Sequence, residues 1–383
     1  MIWTASPLRQ RSESPLDITF IWKRSDATAD SKSLDLLLTQ SARWRSFRLD
    51  LCWNTPDDFI PTVLRGIRGR LPLLRTLECI SPRRRAASLF GDMFAELPEL
   101  RELRFADADA EGADRDESLP PSVNVPWWQI THFRGRYRAL DDGFAILRAA
   151  PDLVQCGLTI NEWHPDPDPT YAPLAPEQIE LLHLRRFSIQ CEPPNILWGL
   201  TLPALQELWI TFPEATSLLS CIERSAAYQL VTLVVYQCAG DVAPTLVPIL
   251  RVLPALLTVF LEFLDGRNAT RDIFDALAVK NRSSLQLNPL CLALSRFAVG
   301  DLTASQINAF LDMVQSLISS PASNTTPIQK LTFVRAYPNL YRYAWPEDAV
   351  SRVGRMHEAG SDIKLDSGFC AVFEAGYMHR GRP

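Results

Sequence analysis

The sequence predicts an α/β solenoid, with parallel strands along a concave face and helices outside. Three observations lead to it. A short phrase recurs through the 383-residue chain and is clearest at Leu202-Pro-Ala-Leu205-Gln-Glu-Leu208-Trp-Ile210. Its apolar residues step first by three and then by two, as a turn does when it runs into a strand with one face buried. Close copies stand at Leu71-Pro-Leu-Leu74-Arg-Thr-Leu77, Leu97-Pro-Glu-Leu100-Arg-Glu-Leu103-Arg-Phe105 and Leu253-Pro-Ala-Leu256-Leu-Thr-Val259-Phe-Leu261. The spacing is the second observation: from Pro72 to Pro98 the step is about 26 residues, and from Pro203 to Pro254 about twice that. The third is that helix-spaced segments lie between the copies, and helices alternating with strands at a fixed period stack the strands in parallel.

The copy Leu230-Val-Thr-Leu233-Val-Val235-Tyr-Gln-Cys238 fills the whole L-x-x-L-x-L-x-x-N/C pattern, so the expected fold is a leucine-rich-repeat-like solenoid. Looser copies begin at Leu153, Leu184, Leu294 and Ile328. Residues 1–13 are polar and irregular, 14–366 form one solenoid, and 367–383 are a C-terminal tail. In chain order, strands are expected from Ser14 to Trp22 and from Arg43 to Leu51, with a short helix from Ser33 to Gln40 between them. Thr55-Pro56-Asp57-Asp58 starts a helix: a capping hydroxyl, proline at the first position, then carboxylates at the positive end of the dipole.

A strand at Leu74–Ile80, a helix at Ala86–Leu97 and a strand at Leu100–Phe105 follow. After an acidic loop from Asp107 to Glu117, strand pattern resumes between Ser122 and Phe133. A helix at Leu140–Ala149 leads to a strand at Leu153–Ile160, and the Pro/Asp-rich stretch His164–Pro176 is a surface loop. Helices are then expected at Thr216–Ala227, Val242–Val252, Ala269–Lys280, Ser305–Ser319 and Ala349–Ala359, the first four each preceding a copy of the phrase. Ile363–Leu365 returns a last strand. In this register Leu77, Leu103, Leu208, Leu233 and Leu331 are core.

Composition excludes several classes. A net charge of −5 argues against a general nucleic-acid binder. The most apolar stretch, Leu246 to Leu264, carries Pro248, Arg251, Pro254 and Glu262 and reads as helix, turn and strand, so no membrane partner is expected. The eight cysteines are scattered with no C-x-x-C pair, which suits buried thiols in a reducing, intracellular compartment, cytoplasmic or nuclear. Asp107-Ala-Asp109-Ala-Glu111-Gly112 imitates the start of a calcium loop, but Ser118 stands where a bidentate glutamate is needed and Pro120-Pro121 bars the exit helix. The five histidines have no ligand or triad spacing, and no phosphate or dinucleotide fingerprint is present. No cofactor, metal or catalytic residue is therefore expected, with an enzyme built from convergent loop residues or a non-functional fragment as the alternatives.

Three further phrases are Pro15-Leu16-Asp17-Ile18-Thr19 followed by Leu38-Thr-Gln-Ser41-Ala-Arg43-Trp44, then Val125-Pro126-Trp127-Trp128-Gln129-Ile130-Thr131, then Ile222-Glu-Arg224-Ser225-Ala226. With the repeat copies they resemble the region downstream of the F-box in a large family of fungal F-box proteins, from about Pro15 to about Leu365. The resemblance implies an adaptor whose repeats recruit a protein substrate to a Skp–cullin ubiquitin ligase. Nothing before Pro15 resembles an F-box, so a Skp-type adaptor is an expected partner only if an F-box lies upstream.

Strand alternation names the candidate binding face. With Leu208 and Ile210 in the core, Trp209 and Thr211 point out of the concave face. The equivalent positions are Val234 and Tyr236 in the next repeat, then Phe260 and Glu262. Parallel strands lie about 4.8 Å apart, so these six side chains would form one exposed patch for a protein partner, with a further loop or the C-terminal segment as the alternative cover. Glu78, Glu102 and Arg104 would give the N-terminal strands a mixed charged face.

Overall fold

The computed structural model describes residues 2–3, 14–21, 37–51, 65–80, 92–106, 124–137, 140–160, 178–191, 195–211, 215–238, 243–263, 273–275, 277, 294–302, 304–319, 333–338, 347–358 and 363–365. The chain is α/β and divides into two compact units, Met1–Glu192 and Pro193–Pro383, each built on a mostly parallel sheet.

In the first unit, β1 (Ile2–Trp3) pairs antiparallel with β2 (Leu16–Ile21). From β2 onward every neighbour is parallel: β3 (Trp44–Asp50), β4 (Thr76–Ile80), β5 (Glu102–Ala106), β6 (His132–Tyr137), β7 (Gln155–Ile160) and β9 (Arg186–Cys191). The two-residue β8 (Ile179–Glu180) precedes β9. Among the described connections, α1 (Leu140–Ala149) is a full helix, while Ser41–Arg43, Arg65–Ile67 and Trp127–Gln129 are single 3-10 turns.

The second unit opens with the turn Asn195–Gly199 and the short β10 (Leu200–Thr201). Its parallel sheet runs β11 (Glu207–Thr211), β12 (Thr232–Cys238), β13 (Thr258–Phe263), β14 (Arg296–Leu302), β15 (Phe333–Pro338) and β16 (Ile363–Leu365). Helices α2 (Ala215–Ser225), α3 (Ala243–Val252), α4 (Ala304–Ser319) and α5 (Glu347–Glu358) connect the strands.

The recurring phrase has a single structural meaning. Its first leucine and the residue three later close a tight turn. The Leu74 amide donates to the Leu71 carbonyl, Leu100 to Leu97, Leu205 to Leu202 and Leu256 to Leu253. Proline at the second position of all four turns is pre-set for the φ the turn requires and has no N–H to leave unpaired. Both leucines of each turn are buried, so the turn is pinned from beneath.

The carbonyl just ahead of each strand then takes two amides from the following repeat. Arg75 accepts from Arg101 and Glu102, Arg101 from Thr131 and His132, Gln206 from Val231 and Thr232, and Val231 from Leu257 and Thr258. This shared acceptor sets the register of one strand on the next. The expected core leucines Leu77, Leu103, Leu208 and Leu233 are all buried, and Leu331 lies outside the described residues.

Some local expectations fail. Residues 92–97 of the helix expected at Ala86–Leu97 form turns, and the Trp127–Gln129 part of the strand pattern is a 3-10 turn. In both places the chain must reach the next buried leucine or isoleucine within a few residues, and a tight turn closes that distance where a helix would overshoot. The strand expected from Ile328 is seen from Phe333, its first residues lying outside the described set. The calcium-like stretch and the loop His164–Pro176 also lie outside it.

The phrases that carry the family resemblance do packing work. Arg43 donates from Nε and Nη2 to the Ser14 carbonyl at 3.1 and 2.8 Å, tying the turn before β3 to the start of β2. Beside it Trp44 is buried and stacks on Phe47 at 5.0 Å. The Gln129 amide group donates to the Leu97 carbonyl of the preceding repeat. Arg224 donates to the Leu200 carbonyl from Nε (3.0 Å) and Nη2 (2.6 Å), and from Nη2 to the Leu197 carbonyl at 2.7 Å. The Ser225 hydroxyl accepts the Leu202 amide at 2.8 Å.

The end of α2 completes this anchor. The Ala226 amide bonds the Glu223 carbonyl and the Ala227 amide the Ile222 carbonyl, a Schellman closure with Ala226 at φ 46°.

Candidate functional site

In the second unit, strand alternation sends Leu208, Ile210, Leu233, Val235, Val259 and Leu261 into the main core. The residues between them stack on the opposite sheet face. Trp209 lies in register with Val234, Val234 with Phe260, and Phe260 with Ala298. Val234, Phe260 and Ala298 form a second apolar cluster, against which Trp209 and Tyr236 pack. Ring centroids are 6.3 Å apart between Trp209 and Tyr236 and 5.5 Å between Tyr236 and Phe260. Thr211 pairs with Tyr236 in register. Beyond Val235 the β12–β13 register shifts, and Glu262 aligns with Gly300 of β14.

The six expected side chains therefore share one face, but not one degree of exposure. Val234 and Phe260 are each 2% exposed and Thr211 8%, while Trp209, Tyr236 and Glu262 are partly exposed. The face is a buried floor of Val234, Phe260 and Thr211 with a partly open rim of Trp209, Tyr236 and Glu262. A medium-sized side chain such as Val234, with Trp209 and Phe260 as its neighbours about 4.8 Å away on either side, is walled in by them. Ala298 was missed because the step from Leu256 to Leu294 departs from the repeat spacing; the phrase Leu294-Ser-Arg-Phe297 was the signal that could have found it.

The outward face of the first unit is polar. On β3 and β4, Arg48 bridges Glu78 at 3.2 Å and Asp50 at 3.8 Å. On β5, Arg104 pairs with Glu102, whose carboxylate also accepts the Thr76 hydroxyl at 3.2 Å. Those are the mixed charges the alternation anticipated. From β5 to β9 the balance changes. Arg104 lies in register with Arg134, Arg134 with Gly157, and Gln155 with Arg186, while Arg136 aligns with Thr159.

Arg134 and Arg186 are exposed and Arg136 is half-buried. At Gly157 a β-carbon would make ordinary van der Waals contact with the Arg134 side-chain stem, 3.4 Å at the nearest atom, so that stem lies close beside β7. His132 stands in this group with Nδ1 3.0 Å from the Thr131 hydroxyl. Burial holds its pKa below the usual range, Glu102 opposes this, and Arg104 and Arg186 add to the lowering. The pattern His132-Phe-Arg134-Gly-Arg136 was the overlooked signal: alternate positions of one strand, all cationic or imidazole.

Among the described residues, no group of three or more His, Cys, Asp or Glu is placed to hold a metal ion. Cys79, Cys156 and Cys221 are free and buried, and burial pushes each thiol upward, so none is an activated nucleophile. No described helix is long and apolar enough to cross a membrane. No protein-family model matches the chain, and no curated protein matches it.

Proposed function

We propose that this chain is a non-catalytic interaction protein, a leucine-rich-repeat-like solenoid that receives a protein partner on the non-core sheet face of its second unit. The observation that carries the reading is the second apolar cluster. A sheet face that only met water would carry polar residues at alternate positions, yet Trp209, Val234, Tyr236, Phe260 and Ala298 collect there. Tryptophan and tyrosine at a cluster rim are the residue types that most often dominate protein interfaces. In this reading Trp209, Tyr236 and Glu262 make contact, while Val234, Phe260 and Thr211 hold them up from below. The likeness of the ordered phrases to fungal F-box proteins supports a substrate-recognition role in ubiquitin ligation, with the partner a protein substrate and any Skp-type docking supplied by an F-box.

The test compares Trp209→Ala and Tyr236→Ala with Leu208→Ala. Truncating a rim hot spot weakens capture of the partner by about 2 kcal/mol or more, roughly thirtyfold in affinity. Leu208 is 1% exposed, so its truncation costs about 2–5 kcal/mol of stability instead. Proximity labelling with the parent and each variant, beside thermal melts, separates the two effects. Should Trp209→Ala melt as early as Leu208→Ala, or keep the full partner set, this face is core and not interface.

A further inference from the structure

In the first unit the turns that lead into the strands line up along one end of the sheet, because β4, β5, β6, β7 and β9 are successive parallel neighbours. Every turn tip carries an exposed apolar residue: Pro72 and Leu73 before β4, Pro98 before β5, Trp128 before β6, Pro151 before β7 and Leu182 before β9. Leu73 is 42% exposed, Trp128 66% and Leu182 55%. The carbonyls of Leu71, Leu97, Trp127 and Leu181 close the turns that hold four of these tips. Bulky tips therefore stand on every second strand, with a lower proline tip between. Two strand spacings put about 10 Å between Trp128 and Leu182, across Pro151, and again between Leu73 and Trp128, across Pro98. A row of large apolar side chains in water marks a contact surface, since polar residues serve a solvated turn as well.

We propose that this crest binds a proline-rich segment of a protein partner in the polyproline II conformation, laid along the tips from Leu73 to Leu182. A polyproline II helix turns once in three residues, about 9.3 Å, so one face of it recurs at nearly the step of the bulky tips. Successive turns of the peptide then seat over Pro98 and Pro151, held between Leu73, Trp128 and Leu182. The crest covers four strand spacings, about 19 Å, or about six residues of such a helix. The ligand makes no internal hydrogen bonds, and the Trp128 indole N–H is a donor for one of its carbonyls. Charge favours a neutral ligand. Glu99, Asp152 and Glu180, all at least partly exposed, are matched by Arg75, Arg101 and Arg185, and Arg75 pairs with Glu99 at 3.6 Å. A second copy of the chain fits poorly. A crest one side chain wide offers at most a few hundred Å², against roughly 800 Å² per partner in a stable interface. This surface belongs to the first unit and is independent of the Trp209 face of the second.

The experiment uses the full chain and a fluorescein-labelled peptide of nine prolines, followed by anisotropy. A glycine–serine peptide of equal length, which lacks the preset conformation, and phosphatidylcholine vesicles are the comparison probes. The proline peptide binds, the glycine–serine peptide binds at least about tenfold more weakly, and the vesicles do not retain the chain. Trp128→Ala and Leu182→Ala each weaken binding about tenfold with unchanged melting temperature, because both side chains are more than half exposed. Pro151→Trp fills the low tip between them and weakens binding by a similar factor. Tyr228→Ala removes a 52% exposed aromatic from a turn of the second unit and leaves binding within about twofold.

The proposal is overturned if the proline peptide fails to bind, if the glycine–serine peptide binds as tightly, or if Tyr228→Ala weakens binding as much as Trp128→Ala. Retention by the vesicles that is lost in Trp128→Ala would overturn it too, making the crest a lipid contact. These outcomes leave the Trp209 experiment untouched. A partner set that still depends on Trp209 beside a silent proline peptide would remove this second surface and keep the interaction reading.

Discussion

Arg224→Met isolates what one side chain does for the start of the second unit. The methionine keeps an unbranched stem of similar length and removes the guanidinium. Three donations to backbone carbonyls disappear: two to Leu200 and one to Leu197, at 3.0, 2.6 and 2.7 Å. A longer contact to the Ser220 hydroxyl, 3.4 Å, goes with them. Leu197 and Leu200 are 0% exposed, so water does not readily replace the lost donor. Hydrogen bonds from a charged group contribute about 1.5–3 kcal/mol each in buried settings, and Arg224 itself is only part-buried, so the expected total is about 2–3 kcal/mol.

For a body of this size, that lowers the melting temperature by about 5–10 °C. The assay is a thermal melt of the full chain with amide hydrogen exchange read across residues 195–202. Exchange accelerates there first, because the turn Asn195–Gly199 loses its tie to α2. Arg224→Lys recovers only part of the loss, since an ammonium cannot serve both carbonyls in the same fork. Glu223→Ala, an exposed neighbour on the same helix, is the control and stays within about 0.5 kcal/mol of the parent. A methionine variant that melts with the parent and exchanges alike at 195–202 would refute the anchor.

Two further outcomes follow from local geometry. Ala226 holds the left-handed position of a Schellman closure at φ 46°, where a β-carbon is strained, so Ala226→Gly raises stability by about 1 kcal/mol in a denaturant titration. Burial raises the thiol pKa of Cys79, Cys156 and Cys221 in the fold. The native state therefore keeps protons that the unfolded chain gives up above its ordinary thiol pKa of about 8.5. Stability from these groups is complete below that pH and falls as pH rises beyond it, and melts between about pH 7 and pH 10 read the slope. In the same window a thiol reagent titrates these cysteines only on unfolding.

The repeat phrase was legible because it encodes contacts between near neighbours in sequence. Leu71, Leu74 and Leu77 state in one line both the turn and the buried side of the strand, and a period of two or three is a property of backbone geometry. That is why β4, β5, β11, β12 and β13 fall where the spacing puts them, and why the alternation alone assigns Trp209 and Val234 to one face. Strand pairing followed from the same regularity, since a repeat that buries one face must stack on its neighbours in parallel.

What the linear pattern could not decide is how much water each outward position meets. Exposure depends on neighbours that are close in space and about 26 residues away in sequence, so Val234 became a floor and Trp209 a rim although both obey the same alternation. The irregular step before β14 hid Ala298 in the same way. Net charge behaves likewise: a chain of −5 gave no hint that its cations assemble, because Arg104, Arg134 and Arg186 stand apart in sequence and only the ladder registers set them across neighbouring strands. The amino-acid order determined the turns, the strands and the faces. Burial and field are sums over the folded neighbourhood, and only the tertiary structure could decide them.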